Sequence, residues 1–531
     1  MAQAKLHALL ATGRLALTQG DSQAAVLALH QAHQLVPADG GVLLDLAVAT
    51  LATCASGLGG AQGNLAATRR AQALAEQAVQ LADGWRAQLV LADIAQRLGQ
   101  ADAAAEHLRL CLGDPQLPAA RRARAYQQWA GLQMNSFGDA HAAAVSLRHA
   151  AQADPALALQ ADLADLLAEL YAGDAAPTAL AAGFAALGRR LRPSVPAAVP
   201  AHRSWAATTG GADAGRRPRI GLLSAQFCAS PVGFLALGAV RELARHADLV
   251  FFDRGAKHDW ARDAFQAAAA QWLPCGELGA DALHEWLAAA GLDAVIDMAG
   301  WTDPTALAAL AGRPVHRQLK WVGGQAMSTG LDCFDGFITD ARQVPPAASA
   351  LYTELLLRAS HGYVSYTAPP YAPELAAAAA RPPVPAGRPA PGVLALAANP
   401  AKISRAMGQA LQQMRPRKLL LVDRRWQHQG TRLAAQHRLG PLMDVAEFIT
   451  PAGHPGYLDA LRGMDATFVD TAPYAMGLAA VELRLLGKHI QAAPRPAAAL
   501  MCQRHCVAHL GARRFDHHAR LAAQLLAWCQ P

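Results

Sequence analysis

The residues able to do chemistry concentrate in the last third of this chain. The turn Pro473-Tyr474-Ala475-Met476-Gly477 follows a short apolar run ending at Asp470 and opens a helical stretch through Glu482. Such a turn presents backbone N–H groups at a helix N-terminus, a natural cradle for phosphate. Gly323 and Gly324 follow another apolar run, where glycine permits a tight backbone, either beside a ligand or for turn geometry alone. Cys502, His505, Cys506 and His509 share the spacing i, i+3, i+4, i+7 of one helical face, a zinc-like set on paper. Four ligands on one helix cannot readily close a tetrahedron, so no metal is expected. The adjacent His517 and His518 read as a surface pair. GxGxxG and GxxxxGK[ST] are absent, which counts against a dinucleotide dehydrogenase and a P-loop ATPase.

A large scaffold must position these groups. The chain has 531 residues, 53% hydrophobic and 16% charged, enough for about three domains with buried cores. Alanine is the commonest filler, which leans towards helix. Aromatics at 6% argue against an all-β sandwich or a stacking-rich RNA platform. A net charge of +7 is mild over this length and permits anionic ligands without demanding nucleic acid. The cysteines are scattered and form no disulfide framework, as expected in a reducing compartment. Arg14 breaks any signal-peptide apolar region. A long uncharged stretch, between Arg219 and Arg241, reads as strand, loop and helix rather than a membrane span. The expectation is a soluble, cytoplasmic protein with no nucleic-acid partner and no membrane span.

Residues 1–192 read as a helical repeat array. The unit Gly20-Asp21-Ser22-Gln23-Ala24-Ala25 recurs at Gly99–Ala104 and at Gly138–Ala143, each time between helical stretches. In the first copy Gly13, Ala16, Ala25, Leu29 and Ala32 place small and bulky positions around the turn, and Pro37 closes the unit. Gly131, Ala143, Leu147, Ala150 and Pro155 repeat that pattern. Small residues let two antiparallel helices approach, and proline stops the second. The pattern resembles the tetratricopeptide repeat. Residues 41–86 fit a further pair with a Gly-rich interruption at Gly57–Gly63. A Pro/Gly-rich linker is expected at 193–216.

From Arg219 the period changes. Strands are expected at Ile220–Ser224, Leu249–Asp253, Ala294–Met298, Gln318–Val322 and Gly336–Thr339, with helices over Ala261–Gln271 and Asp281–Ala290. A Pro/Ala-rich break at 369–391 separates a second series, at Val393–Ala397, Lys418–Val422, Val445–Ile449, Thr467–Asp470 and Lys488–Gln491. Alternating strands and helices imply two parallel-sheet halves, 217–368 and 392–531, with ligands at the carboxyl ends of the strands.

Several strings in this α/β region converge on one family. They are RIGLLSAQFCASPVGF (219–234), DAVIDMAGWTDPTALAALAGRPVHRQLKWVGGQAMSTGLDCFDGFITD (293–340), NPAKIS (399–404), VDTAPYAMGLAAVELRLLGKHI (469–490) and CQRHCVAHL (502–510). Their order and spacing resemble the O-GlcNAc transferase/SPINDLY-like glycosyltransferases, glycosyltransferase family 41, which couple tetratricopeptide repeats to a GT-B region of two Rossmann-like domains. The resemblance implies a UDP-sugar donor, a protein or peptide acceptor presented by the repeats, transfer with inversion, and no cofactor or metal. It implies that Lys402 sits on the donor phosphates as the catalytic cation, that Glu482 bonds the ribose and that His454 lies near the uracil. It makes Gln325 a sugar contact beside Gly323 and Gly324, and gives Gly477 the diphosphate. Ala479 and Ala480 stand where active relatives carry hydroxyls. Ser230 stands for the histidine of HPVG, and Trp301 for the histidine of the bacterial GHT. Those departures leave an alternative open: a catalytically degenerate relative acting as a repeat-based scaffold.

Overall fold

A computed structural model describes residues 2–55, 60–81, 84–191, 216–324, 326–381, 389–493, 495–511 and 514–530. The chain divides into two compact units, Met1–Asp165 with Gln427–Ala434, and Leu166–Trp426 with Ala435–Pro531.

The first unit is built of helical hairpins. Gly20, Gly99 and Gly138 all adopt the left-handed conformation, with φ of 80°, 72° and 63°. This is the conformation that ends a helix at little cost only when the residue is glycine. The residue after each glycine opens the next helix. Asp21 accepts from the Ala24 N–H and Asp139 from the Ala142 N–H, whereas Gln100 makes no side-chain cap. Close approach explains the small residues: a Cβ on Gly13 would lie 2.6 Å from Leu29 Cγ. The interruption expected at Gly57–Gly63 is shorter than the glycines suggest, because one helix runs over Gly60–Gln80; residues 56–59 lie outside the described residues.

Composition put the end of the repeats at 192, but the compact unit ends at Asp165. The helix Pro177–Gly188 packs within the second unit, where Phe184 lies 6.2 Å from Trp301 and a Cβ on Gly188 would strike the Gly330 carbonyl at 2.4 Å. The expected linker at 193–216 falls almost wholly outside the described residues.

The second unit holds two parallel sheets. The first contains β1 (Arg219–Ser224), β2 (Asp248–Asp253), β3 (Gln271–Pro274), β4 (Ala294–Asp297), β5 (Arg317–Lys320), β6 (Gly336–Thr339) and β7 (Leu356–Arg358), in the order β3-β2-β1-β4-β5-β6-β7. The second contains β8 (Val393–Leu396), β9 (Lys418–Val422), β10 (Ala446–Ile449), β11 (Thr467–Val469) and β12 (Ile490–Gln491), in the order β10-β9-β8-β11-β12. Both are Rossmann-like, with the order reversing beside β1 and beside β8. Alternation places Leu394, Leu396, Leu419 and Leu421 in one core and Ala395, Ala397, Leu420 and Val422 in the other, so helices must cover both faces.

Two edge strands, β3 and β7, are additions to the expected set. The helix expected over Ala261–Gln271 stops at Gln266. There the Ala270 N–H donates to Leu249 O at 2.9 Å, so pairing with β2 overrides alanine's helix propensity. The 369–391 break contains a short helix, Glu374–Ala379. Among the described residues, no helix is long and apolar enough to cross a membrane.

Candidate functional site

A cavity of about 490 Å³ lies at the carboxyl ends of both sheets. Thr302 and Val322–Gly324 line it from the first half, and Asn399, Lys402, Tyr474, Met476–Ala479 and Glu482 from the second. Both strand-order switch points therefore face the same space.

Lys402 ends a 3-10 turn that Asn399 caps by accepting from the Ala401 N–H at 3.0 Å. Its Nζ donates to Ala475 O at 3.0 Å and stands 4.6 Å from the Tyr474 ring centroid. Burial pulls its pKa down to about 8, with Asp470 opposing that shift. The ammonium is therefore still charged at neutral pH and touches the cradle loop directly.

The loop is held from beneath. Asp470 Oδ1 accepts from the Met476 N–H at 2.9 Å, and its other oxygen pairs with Arg495. Ser404 Oγ donates to Ala472 O and Thr471 Oγ1 to Tyr474 O, both at 2.7 Å. Gly477 then caps the helix Leu478–Leu485 without any side-chain acceptor. The N–H groups that open such a helix have no partner four residues back and carry its positive dipole end; of these, the Ala480 N–H turns back to Gly477 O at 3.0 Å. Ala479 lines the cavity, but Ala480 does not. Ala480 is fully buried in the core with Phe468 and Leu483, and its N–H donates to Gly477 O. The side chains at the cradle are thus Leu478 and Ala479, neither able to donate a hydrogen bond.

Glu482 lies in the second helical turn, not the first, and is 1% exposed. Its Oε1 accepts from Tyr366 OH at 3.3 Å and from His454 Nε2 at 2.9 Å. His454 Nδ1 in turn accepts from Tyr371 OH at 2.7 Å, a tautomer assigned from the hydrogen-bond network. The His454 ring packs 4.6 Å from Phe234 and 6.0 Å from Tyr457. Burial pushes the Tyr371 phenol up to about 12, which keeps it a donor. The result is a flat aromatic nook beside a buried carboxylate. Sequence reading missed Tyr366, Tyr371 and Phe234. Their only advance signal was aromaticity in an aromatic-poor chain.

Gly323 and Gly324 do not merely leave room for a ligand. A Cβ on either would stand 2.0 Å from a carbonyl oxygen, of Met298 and Ala299 respectively, and Gly324 has φ 59°. Val322 beside them is held at φ 43°, strain of about 1–3 kcal/mol for a β-branched residue. Beneath lies fully buried Lys320, whose Nζ donates to the carbonyls of Trp321, Val322 and Gly323 and stands 3.9 Å from Asp297. Asp297 accepts from the Ala299 and Gly300 N–H groups. Burial lowers the Lys320 pKa to about 8 and raises that of Asp297. Gln325 lies outside the described residues.

The two departures acquire structural roles. Ser230 caps the helix Pro231–Leu243, accepting from the Gly233 N–H at 3.1 Å and donating to Gln226 O. Trp301 is 3% exposed and packs against Phe184.

The C-terminal Cys/His set is not one helical face. Cys502 sits in a 3-10 turn, Met501–Gln503, and the helix begins at His505. Among the described residues, no three His, Cys, Asp or Glu are placed to hold a metal ion. His505 and His509 line the cavity instead. His517 and His518 are not a surface pair: both are half-buried, bonded to Gly362 O at 3.1 Å and to Ser365 Oγ at 2.8 Å.

No protein-family model matches the chain. Its full length (100%) superposes on 94% of an O-GlcNAc transferase from Thermobaculum terrenum, with a TM-score of 0.59 and 20% identity. The chain shares its fold with that transferase. The fold is thus a helical repeat array followed by a GT-B region, as the motifs implied. A stretch of 81 residues is 35% identical to the probable UDP-N-acetylglucosamine–peptide N-acetylglucosaminyltransferase SPINDLY of Solanum lycopersicum, spanning 15% of this chain and 9% of that protein.

Proposed function

We propose that this protein is a UDP-sugar-dependent glycosyltransferase that moves a hexosyl or N-acetylhexosaminyl group onto a protein side chain with inversion. The observation that carries the reading is the convergence of Lys402 and the uncapped helix N-terminus at Gly477 on one cavity, beside the His454–Glu482 pair. The diphosphate would lie on the first-turn N–H groups, with Lys402 stabilising the charge that grows as the sugar leaves. The ribose would meet Glu482, and the uracil would enter the nook around His454. The acceptor oxygen would attack the sugar C1 as the C1–O bond to UDP breaks, its proton passing to the donor phosphate or a water. The repeats would hold the acceptor protein. The fold and the short SPINDLY match support this reading.

One observation favours the second reading, a degenerate scaffold: Ser230 is engaged as a helix cap and Trp301 in apolar packing, so neither offers a base. The two separate by UDP release from UDP-N-acetylglucosamine and UDP-glucose with a cell lysate as acceptor pool. Release that depends on lysate protein and is lost in Lys402→Ala supports the transferase. UDP binding without any release supports the scaffold.

A further inference from the structure

We infer that His505 and His509 contact the diphosphate of the nucleotide bound in this cavity, supplying the side-chain donors that Leu478 and Ala479 lack. The inference rests on the donor-site reading and adds two residues to it. The helix His505–Gly511 sets them one turn apart on one face, with rings stacked at 6.0 Å. His505 also stacks at 6.5 Å on Tyr474, the cradle-loop residue whose ring faces Lys402 Nζ. Lys402, Tyr474, His505 and His509 thus form a continuous row along the cavity wall. Within that row His509 Nε2 is buried without a hydrogen-bond partner, in a residue 2% exposed. A ligand oxygen would remove the penalty of that unpaired nitrogen. His505 Nδ1 contacts Tyr363 OH at the long distance of 3.5 Å.

Electrostatics agree with the geometry. The groups facing the pair are Lys402, Tyr474 and Tyr363 around His505, and Arg484 beside His509. Burial holds both imidazoles below their ordinary pKa, reinforced by His509 and Lys402 at His505 and by Arg484 at His509, so both are neutral in the free protein at pH 7. A diphosphate placed against them would reverse that balance and draw in a proton. Nucleotide binding should therefore be proton-linked. His509 also borders a second cavity, of about 560 Å³, beside Arg342 and Arg514, and an anion held there is the rival explanation of any linkage.

The test is calorimetric titration of UDP into the full chain between pH 8 and 6, in buffers of different ionisation enthalpy. Wild type is compared with His505→Gln, His509→Gln and the double variant, each first checked for a native thermal transition. The ionisation of UDP and that of Lys402, whose pKa of about 8 a diphosphate would raise, are common to all four proteins. The expected result is proton uptake by wild type in excess of that by the double variant, with each single variant between the two. Wild-type affinity should gain about threefold to tenfold over the double variant across that range. Parallel pH curves for wild type and double variant overturn the inference while leaving the donor site standing. Linkage that survives in the double variant but disappears in Arg514→Ala also overturns it, by placing the anion in the second cavity. No UDP binding at millimolar concentration removes the donor reading itself, and this inference with it.

Discussion

The two walls of the cavity come from sheets of related topology, yet they carry different chemistry. The wall on β8–β12 presents a charged lysine, an uncapped helix N-terminus, and a buried carboxylate bonded to a histidine in an aromatic nook. The wall on β1–β7 presents close-packed glycines, with the two positions where a base could stand given to a helix cap and a packed indole. The difference teaches that the groups the proposed donor site would use stand on one side, so that in the transferase reading proton handling must come from elsewhere than the other. It also says which substitutions should move binding and which only stability.

The largest expected effect is on stability in the first wall. Trp301→Ala opens space against Phe184 and should cost about 3–5 kcal/mol in denaturant unfolding, with UDP affinity unchanged in the folded fraction. A loss of affinity instead would mean that this wall takes part in donor binding. Next comes the pH response of the second wall. His509 titrates near 6.5 when unfolded, while burial holds it down at about 4 in the fold. The unfolded state therefore binds the proton first, and stability present above pH 6.5 is lost as pH falls towards 4. The loss should reach about 2 kcal/mol by pH 5, and His509→Gln should flatten it in parallel melts at pH 7 and 5. Glu482→Ala leaves His454 Nε2 and Tyr366 OH without their acceptor, and should weaken UDP binding by about tenfold or more. Equal weakening for UDP and inorganic pyrophosphate would contradict a nucleoside-side role. The smallest effect is Ser230→Ala, which removes a helix cap worth about 1 kcal/mol and should leave UDP affinity within about twofold.

What was legible in the sequence follows from how local the determinant is. The repeat turns could be read because a left-handed glycine and a capping aspartate sit side by side in the chain. The central strands could be read because Leu420 and Val422 alternate with Leu419 and Leu421 between two cores. Strands β3 and β7 could not, since three- and four-residue edge strands lack that periodicity. Ala480 was paired with Ala479 on the resemblance, which aligns positions along the chain but does not say that Ala480 turns into the core with Phe468 and Leu483. Tyr366 and Tyr371 reach Glu482 and His454 from far along the chain, so no spacing announces them. His505 and His509 were weighed only as metal ligands, a reading that assumed one continuous helix from Cys502.

The most direct test of the account is calorimetric titration of UDP at pH 7 into wild-type protein and Lys402→Ala. The account predicts micromolar binding by wild type and a loss of at least tenfold in the variant, the size expected for one charged contact. Equal affinity in the two proteins, or no binding by wild type at millimolar UDP, would contradict it.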